Sequence, residues 1–368
     1  MTILVTGAQG FIGRNLIIRL NELGFENVST FTRGQSADEL RSLVKKAQAV
    51  IHLAGENRPD DPVKFDQVNG RLTEEICALI QEENRPIPLV FSSSTQADND
   101  SPYGSSKRYG ENAITSLANE TGNPCAIFRL PNVFGKWCKP NYNSAVATFC
   151  HNIARGLPIT INDPKAKLTL AYIDDVIDAL IAAATEPVNG LRLLDVEPQY
   201  QTTVGELSDQ ILKFADSRAS LVSERVGTGL TRALYATYIS YLPTNAFSYA
   251  LPVHGDERGV FVEMLKTPDC GQFSFFTAHA GITRGGHYHH TKSEKFLVLK
   301  VTARFGFRHI ITDEYHELYT SGDKPAVVET IPGWSHDITN VGDDELIVML
   351  WANEIFDRAK PDTISRSV

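Results

Sequence analysis

The strongest constraint on the fold of this chain is a short apolar segment that runs directly into three regularly spaced glycines. Residues 2–6 (Thr-Ile-Leu-Val-Thr) are β-branched or apolar and carry no charge, as expected for a buried parallel strand. Gly7, Gly10 and Gly13 follow, and an amphipathic helical pattern begins at Arg14. Glycines in such a turn let the backbone approach a pyrophosphate, whose charge lies at the helix N-terminus. A strand, this turn and a helix together predict a doubly wound α/β domain that binds a dinucleotide.

The residues expected to contact the cofactor come from this turn and from a later strand. In the turn and the start of the helix they are Gly7, Gly10, Phe11, Ile12 and Gly13. The later buried strand begins at Ala49 and ends in Leu53, Ala54 and Gly55, small enough at its end to lie against a flat cofactor.

The cofactor itself is predicted from charge near the adenosine ribose. The second predicted strand, residues 27–33, ends in Arg33 and has no acidic residue at its tip to hold a ribose 2′-hydroxyl. Arg14 adds a second cation just past the third glycine. Two cations and no acid favour a 2′-phosphate, so the sequence predicts NADP(H) rather than NAD. The alternative is that both arginines are simply solvated.

A tyrosine and a lysine four residues apart predict proton-transfer chemistry. Tyr103 and Lys107 share one face of a helix that starts near residue 102. An unperturbed tyrosine keeps its proton until about pH 10, so a nearby cation is needed for proton exchange at neutral pH. Lys107 would supply that cation and hold the nicotinamide ribose. The alternative is a solvated helix face.

These motifs resemble those of the extended short-chain dehydrogenase/reductases, especially those that handle nucleotide sugars. The resemblance covers residues 1–240 and includes Asn69, residues 129–135 and residues 172–176. It implies that Ser94, the third serine after a buried strand, orients the substrate oxygen, with Ser93 or Thr95 as substitutes. Only eight residues separate Ser94 from Tyr103, fewer than in relatives, which predicts a more open site.

A second chemistry is predicted near the C-terminus by clustered histidines. His287 and His289 alternate on one face if they lie on a strand, and Glu294 follows five residues after His289. His336 follows a Pro-Gly turn and precedes a strand-like alternation. Three imidazoles and a carboxylate suit a divalent metal such as Zn, Ni, Fe or Mn, with zinc the expected ion. The alternative is a histidine-rich surface loop.

The spacing of these residues resembles the paired motifs of the cupin barrels, with Val301 near the position where a glycine often closes the first motif. The segments 256–263, Gln272 and 281–288 also resemble deoxysugar epimerases that act on nucleotide-linked 4-keto-6-deoxyhexoses. That resemblance implies that His287 is the base that removes a proton beside the ketone. His287 is thus expected either as a catalytic base or as a metal ligand, and the two roles compete.

Bulk properties exclude other classes of function. The net charge of −9 and the pI of about 5.6 argue against a nucleic-acid partner. Five cysteines without metal spacing favour a reduced cytoplasm, and no apolar run is long enough to predict a membrane span. The change from alternating strand and helix patterns to short β runs predicts an α/β domain over residues 1–243 and an all-β domain over residues 244–368. The resemblances imply that the first is a reductase domain and the second a cupin domain.

An extended reductase followed by a metal cupin resembles the bifunctional capsule and O-antigen enzymes of the CapF type, as does the stretch 134–143. The resemblance implies a UDP-linked 2-acetamido-2,6-dideoxy-4-hexulose as substrate, epimerised at C3 by the cupin and then reduced at C4. The product would be a precursor of UDP-N-acetyl-L-fucosamine, and a homodimer through the cupin is expected. Two alternatives remain: a reductase whose cupin is a structural, metal-stabilised dimerisation module, and a non-catalytic NADP-responsive binding protein.

Overall fold

The structure is a computed structural model that describes residues 1–56, 65–252, 254–256, 259–261, 264–265, 271–354 and 359–368. For residues 66–68, 254–256, 259–261 and 272–274 it describes the backbone alone. The chain forms two compact units. The first comprises Met1–Phe134 and Leu168–Gln201, and the second comprises Gly135–Lys167 and Thr202–Val368. The boundary at residue 243 stays a prediction.

The α-helices of the described residues alternate with strands up to residue 220, and the last of them ends at residue 240. They are α1 (Phe11–Glu22), α2 (Ala37–Lys46), α3 (Leu72–Glu82), α4 (Pro102–Thr121), α5 (Ala145–Ile153), α6 (Ile173–Thr185), α7 (Val204–Ser220) and α8 (Gly229–Ser240). Shorter helical turns are Phe65–Arg71, Thr95–Asp98 and Thr244–Ala246. None of the helices in the described ranges combines the length and the apolar character needed to cross a membrane.

The first unit is built on a six-stranded parallel sheet. Its strands are β1 (Thr2–Thr6), β2 (Asn27–Phe31), β3 (Ala49–His52), β4 (Leu89–Ser94), β5 (Cys125–Leu130) and β8 (Leu191–Leu194), in the order β2-β1-β3-β4-β5-β8. Every neighbouring pair is parallel. The strand order reverses between β1 and β3, and ligands of such sheets bind at the carboxyl ends of the strands at this point. The predicted parallel, doubly wound domain is confirmed.

The central strands are apolar because both of their faces are covered. Leu4, Val50 and Leu89 are fully buried, and they pack with side chains of α2, α3 and α4. A parallel sheet covered on both faces needs such continuous apolar runs. A second small sheet contains β6 (Asn132–Phe134), β7 (Lys167–Tyr172) and β9 (Gln199–Thr203).

The C-terminal part of the second unit is an all-β domain of antiparallel sheets. Its strands are β10 (Ser248–Ala250), β11 (His254–Asp256), β12 (Gly259–Phe261), β13 (Gln272–Ala278), β14 (Thr283–Tyr288), β15 (Glu294–Lys300), β16 (Thr302–His309), β17 (Tyr315–Ser321), β18 (Ala326–Glu329), β19 (Trp334–Asn340), β20 (Leu346–Ala352) and β21 (Ile364–Ser365). Two five-stranded sheets have the orders β10-β18-β15-β20-β13 and β17-β16-β19-β14-β21, and β11 pairs with β12. The expectation of an all-β C-terminal domain is confirmed.

Two local features qualify the predictions from sequence. Val301, near the position where the motif of the cupin resemblance often has a glycine, joins β15 to β16 with a φ of 60°, a region that β-branched residues rarely adopt. The last α-helix of the described residues, α8, begins at Gly229, which has a φ of 61°. The described cysteines, Cys77, Cys125, Cys138 and Cys150, are free thiols, and Cys270 lies outside the described residues.

Candidate functional site

The glycine turn follows the carboxyl end of β1 and contacts the residues that follow β3. Gly7 has a φ of 69°, and a Cβ atom there would lie 2.6 Å from the backbone nitrogen of Ala54. A Cβ at Gly13 would lie 2.2 Å from the carbonyl oxygen of Gly7, so the helix can start this close to the strand only with glycine. The predicted cofactor residues Gly7, Leu53 and Ala54 are therefore in contact at the point where the strand order reverses.

The other predicted cofactor residues in the first helix occupy its first turn. Phe11 and Ile12 begin α1 and are half-buried, and the amide of Arg14 donates to the carbonyl of Gly10 at 3.0 Å. The side chain of Arg14 is exposed. No acidic residue lies in this first turn, which leaves the N-terminal amides free of a competing side-chain carboxylate.

Arg33, the residue predicted to bind a 2′-phosphate, lies beside Glu56, an acidic residue that no sequence motif indicated. The guanidinium of Arg33, which is 83% exposed, forms an ion pair with the carboxylate of Glu56. Asn69 fixes the backbone of Glu56, because its Oδ1 accepts the Glu56 amide at 2.8 Å and its Nδ2 donates to the Glu56 carbonyl at 3.0 Å. A cofactor phosphate at Arg33 would thus compete with a resident carboxylate.

The structure brings Ser94, Tyr103 and Lys107 together. Ser94 ends β4, and α4 begins at Pro102 with Ser101 as its N-cap, so Tyr103 and Lys107 lie on the first two turns of that helix. The ammonium of Lys107 lies 6.0 Å from the centre of the Tyr103 ring and donates to the carbonyl of Ser92 at 2.9 Å. A Cβ at Gly55 would lie 3.1 Å from the same ammonium, so the predicted cofactor strand ends beside Lys107.

Electrostatics around these groups suit proton donation. Burial raises the pKa of Tyr103, and a hydrogen bond with Ser94 opposes that shift, so the phenol is protonated at neutral pH. Burial lowers the pKa of Lys107 to about 8, although the charge of Glu111 opposes this. A protonated phenol beside a cation can give its proton to a substrate oxygen.

The two alternatives to Ser94 are placed elsewhere. The hydroxyl of Ser93 donates to the carboxylate of Glu111, which also accepts a bidentate pair of hydrogen bonds from Arg129 at 2.9 and 2.7 Å. Thr95 is exposed in the turn after the strand. Ser94 is the member of the three whose hydroxyl interacts with Tyr103.

The predicted metal residues also come together, in the second unit. Ligand atoms of His287, His289, Glu294 and His336 all lie within 4.8 Å of one another. His287 on β14 and His336 on β19 are cross-strand partners, and a β-bulge between Gly285 and His287 sets this register. A Cβ at Gly285 would lie 2.8 Å from the carbonyl oxygen of His336, so the bulge needs glycine there. His290 stands outside the group, with its ring edge-on to Tyr288.

The donor set fits a divalent cation. The Nε2 of His289 lies 3.1 Å from the Oε2 of Glu294, and the Nε2 of His336 lies 3.6 Å from the same oxygen. Ligands about 2.1 Å from a zinc ion are about 3.4 Å apart when tetrahedral. Both ring nitrogens of the buried His336 lack a hydrogen-bond partner among the described residues, which is unusual without a ligand.

The pKa shifts of these histidines and of Glu294 also agree with metal binding. Burial, with the neighbouring His336 and His289, lowers the pKa of His287 to about 4, and burial also lowers the pKa of His336. Both rings are therefore neutral at pH 7, as a ligand or a base must be. Burial would raise the pKa of Glu294, but the adjacent imidazoles hold it well below its usual range.

Lys292 is a further charged group at this site that no sequence motif indicated. The ammonium of Lys292 lies 3.1 Å from the Oε1 of Glu294, on the side away from His289 and His336, which meet Oε2. Four residues of the epimerase-like segment, Glu257, Arg258, Val262 and Glu263, lie outside the described residues.

Comparison with known proteins covers both parts of the chain. Residues 3–194 match the NAD dependent epimerase/dehydratase family, and residues 254–364 match the polysaccharide biosynthesis C-terminal domain. A UDP-2-acetamido-2,6-beta-L-arabino-hexul-4-ose reductase of Pseudomonas aeruginosa is 55% identical over 368 residues, which is 100% of this chain and 99% of that protein. The crystal structure of the capsular polysaccharide assembling protein CapF from Staphylococcus aureus aligns over 100% of both chains, with 42% identity and a TM-score of 0.68.

This chain belongs to the CapF-like branch of the NAD dependent epimerase/dehydratase family. The Bordetella bronchiseptica enzyme WbmF, solved in complex with NAD+, is similar in fold alone, with 21% identity over 58% of this chain and 78% of that one and a TM-score of 0.52. In this chain, the region that matches the polysaccharide biosynthesis C-terminal domain thus follows the region that matches the epimerase/dehydratase family.

Proposed function

We propose that this CapF-like chain is a bifunctional enzyme acting on a UDP-linked 2-acetamido-2,6-dideoxy-4-hexulose. Residues 244–368, as a cupin domain, would epimerise C3, and residues 1–243 would then reduce the C4 ketone with NADPH, on the route to UDP-N-acetyl-L-fucosamine for capsule or O-antigen. The observation that carries the reductase half is the grouping of Ser94, Tyr103 and Lys107 beside the glycine turn. The 55% identical reductase of Pseudomonas aeruginosa supports the substrate class.

Reduction needs a proton for the ketone oxygen and a hydride for its carbon. Ser94 donates a hydrogen bond that orients the ketone, and Tyr103, whose pKa burial raises, gives its proton to the oxygen as charge develops there. Lys107 holds positive charge beside the phenol and favours the phenolate that remains. When bound, the nicotinamide cofactor supplies the hydride.

Epimerisation depends on the acidity that the C4 ketone confers on the neighbouring C3 proton. A base removes that proton from one face, and delivery of a proton from an acid or from solvent to the opposite face inverts C3. His287 is half-buried whereas His289, Glu294 and His336 are buried, so His287 is the member of the group that an entering sugar reaches. We propose it as the base, with a fourth-ligand role as the alternative. A bound divalent metal, expected to be zinc, would supply positive charge for the enolate oxygen.

The order of the two steps follows from their chemistry. The C3 proton is acidic only while the ketone survives, so epimerisation precedes reduction, and reduction fixes the new stereochemistry. Both activities on one chain raise the effective concentration of the intermediate at the second site. We further propose cytoplasmic residence and a homodimer formed through the cupin domain.

The second candidate function is a reductase whose β-domain only stabilises a dimer through its metal. The buried, closely spaced ligands would serve that role as well as catalysis. The experiment that separates the two readings incubates the protein with the UDP-4-keto sugar in heavy water without NADPH. Deuterium entering at C3, read by NMR, is expected for the bifunctional enzyme; its absence supports the structural role. Adding NADPH then tests the reductase through loss of NADPH absorbance.

A further inference from the structure

Residues 362–366 contact the segments that carry His287, His289 and His336 and the turn that precedes Glu294. In β21, Ile364 and Ser365 pair with Tyr288 and His287 of β14. The amide of Arg366 donates to the carbonyl of Gly286 at 2.8 Å, and the carbonyl of Arg366 accepts from the hydroxyl of Ser335, next to His336.

The carboxylate of Asp362 holds the turn between His289 and Glu294. Its Oδ1 accepts the amide of His290 at 2.9 Å, and its Oδ2 accepts the amides of Thr291 at 2.6 Å and Lys292 at 2.7 Å. The Thr291 hydroxyl donates to the same oxygen at 3.1 Å. Three consecutive amides converging on one carboxylate form an anion nest, and an ionised carboxylate is the strongest acceptor available to it.

The main chain of Asp362 fixes a ligand directly. Its carbonyl oxygen contacts the Nδ1 of His289, and because a carbonyl only accepts, Nδ1 carries the proton. In this tautomer the lone pair available to a metal lies on Nε2, the atom that lies 3.1 Å from Glu294. Ligating imidazoles are commonly oriented in this way through their other nitrogen.

We propose that Asp362 is a positioning residue of the metal site. Its carboxylate sets the spacing of His289 and Glu294 by binding the turn that joins them, and its main-chain carbonyl sets the tautomer of His289. The inference rests on the proposed metal site. Removal of the carboxylate leaves the amides of residues 290–292 without their acceptor, so the turn relaxes and His289 and Glu294 no longer share one centre. Loss of such an outer partner lowers metal affinity by about 10- to 100-fold.

The test measures metal affinity, not turnover. Metal-free full-length protein is titrated with Zn²⁺ alone in competition with a chromogenic chelator, and with Co²⁺ alone to record its visible absorption spectrum. Asp362→Ala is expected to bind Zn²⁺ about 10- to 100-fold more weakly and to give a changed Co²⁺ spectrum. Asp362→Asn keeps one acceptor oxygen and is expected to lose less. The matched control is Asp323→Asn, an exposed aspartate in the turn before β18.

The outcomes separate this inference from the function on which it rests. If the unmodified protein binds no Zn²⁺, both the proposed metal site and the proposed role of Asp362 are overturned. If the unmodified protein binds Zn²⁺ and Asp362→Ala matches it in affinity and Co²⁺ spectrum, only the role of Asp362 is overturned. Should Asp362→Ala fail to fold, as judged by tryptophan fluorescence, Asp362→Asn decides: affinity equal to that of Asp323→Asn overturns the proposal.

Discussion

Lys295 and Glu329, on the neighbouring strands β15 and β18, form an ion pair that is almost completely buried. The Oε2 of Glu329 accepts from Arg218 on α7, and the hydroxyl of Tyr235 on α8 lies 3.5 Å from Oε1, the oxygen that accepts from Lys295. The carboxylate therefore ties two helices of the second unit to its β-domain. Burial would raise the pKa of Glu329, but the two cations lower it from 4.5 to about 2.

Glu329→Gln is expected to destabilise the second unit by about 3–5 kcal/mol, because two buried cations lose their counter-charge. All three tryptophans, Trp137, Trp334 and Trp351, lie in this unit, so denaturant unfolding followed by tryptophan fluorescence reports on it alone. Glu345→Gln, at an exposed glutamate of the same unit, is the control. Equal stability of the two variants would contradict the role of the ion pair.

The same carboxylate predicts a pH dependence. Because the pKa of Glu329 is depressed on folding, its contribution is fully present above pH 4.5 and is lost as the pH falls through about 2. The unfolding free energy of the unmodified protein should fall in this window, and Glu329→Gln should show a shallower fall. Parallel curves for the two proteins would exclude Glu329 as the titrating group.

Tyr103→Phe is expected to abolish NADPH-dependent reduction and to leave C3 exchange intact. The reason is that the Tyr103 phenol is the proposed proton donor for reduction and takes no part in the C3 step. NADPH absorbance and deuterium uptake at C3 measure the two steps separately. Tyr109→Phe, on the same helix α4, is the control because its side chain is largely exposed. Normal NADPH consumption by Tyr103→Phe would remove Tyr103 from the mechanism.

Cofactor selectivity is expected to follow the charge around Arg33. The unmodified enzyme should use NADPH at least tenfold more efficiently than NADH, a difference of about 1.4 kcal/mol, and Arg33→Asp should erode or invert that preference. Equal kcat/KM values for both cofactors in the unmodified enzyme would refute the NADPH assignment.

The ion pair with Glu56 refines this expectation. Glu56→Gln frees Arg33 for a 2′-phosphate and should increase the preference for NADPH, whereas Glu82→Gln, at an exposed pair with Arg41, should not. A fall in NADPH preference on Glu56→Gln would mean that Glu56 orients Arg33 productively.

Local motifs could be predicted from the sequence because their spacing determines their geometry. The turn at Gly7 requires glycine for contact with Ala54, and four residues of helix place Tyr103 near Lys107. Partners distant in sequence were not predictable. Arg33 meets Glu56 across 23 residues, and His289 meets Asp362 across 73. Nothing in the pattern around an isolated aspartate or glutamate indicates which distant backbone or side chain it will meet.

The bulge beside His287 shows that a strand register is also difficult to predict from the local sequence. Strict alternation predicts that His287 and His289 share a face, and their rings do lie 5.1 Å apart. The pairing of His287 with His336, however, depends on an extra residue between Gly285 and His287. The Gly285-Gly286 pair permits that bulge, but a glycine pair alone does not specify the strand register that results.

His336→Ala is expected to lower the bound metal, since the site loses one of its buried ligands, and to destabilise the second unit more than the first. Elemental analysis measures the metal, and tryptophan fluorescence measures the second unit. His279→Ala, at an exposed histidine of the same unit, is the control. Full metal occupancy in His336→Ala would exclude His336 as a ligand and make His290 the next candidate.

The same variant decides how far the β-domain takes part in catalysis. If the domain is catalytic, His336→Ala should lose C3 deuterium exchange and still reduce a substrate supplied with C3 already inverted, because Tyr103 and Lys107 lie in the other unit. If the domain only stabilises a dimer, the unmodified protein should already show no C3 exchange without NADPH. Loss of metal with C3 exchange unchanged would mean that the base acts without the ion, and His287→Ala, which removes that base, should then abolish exchange.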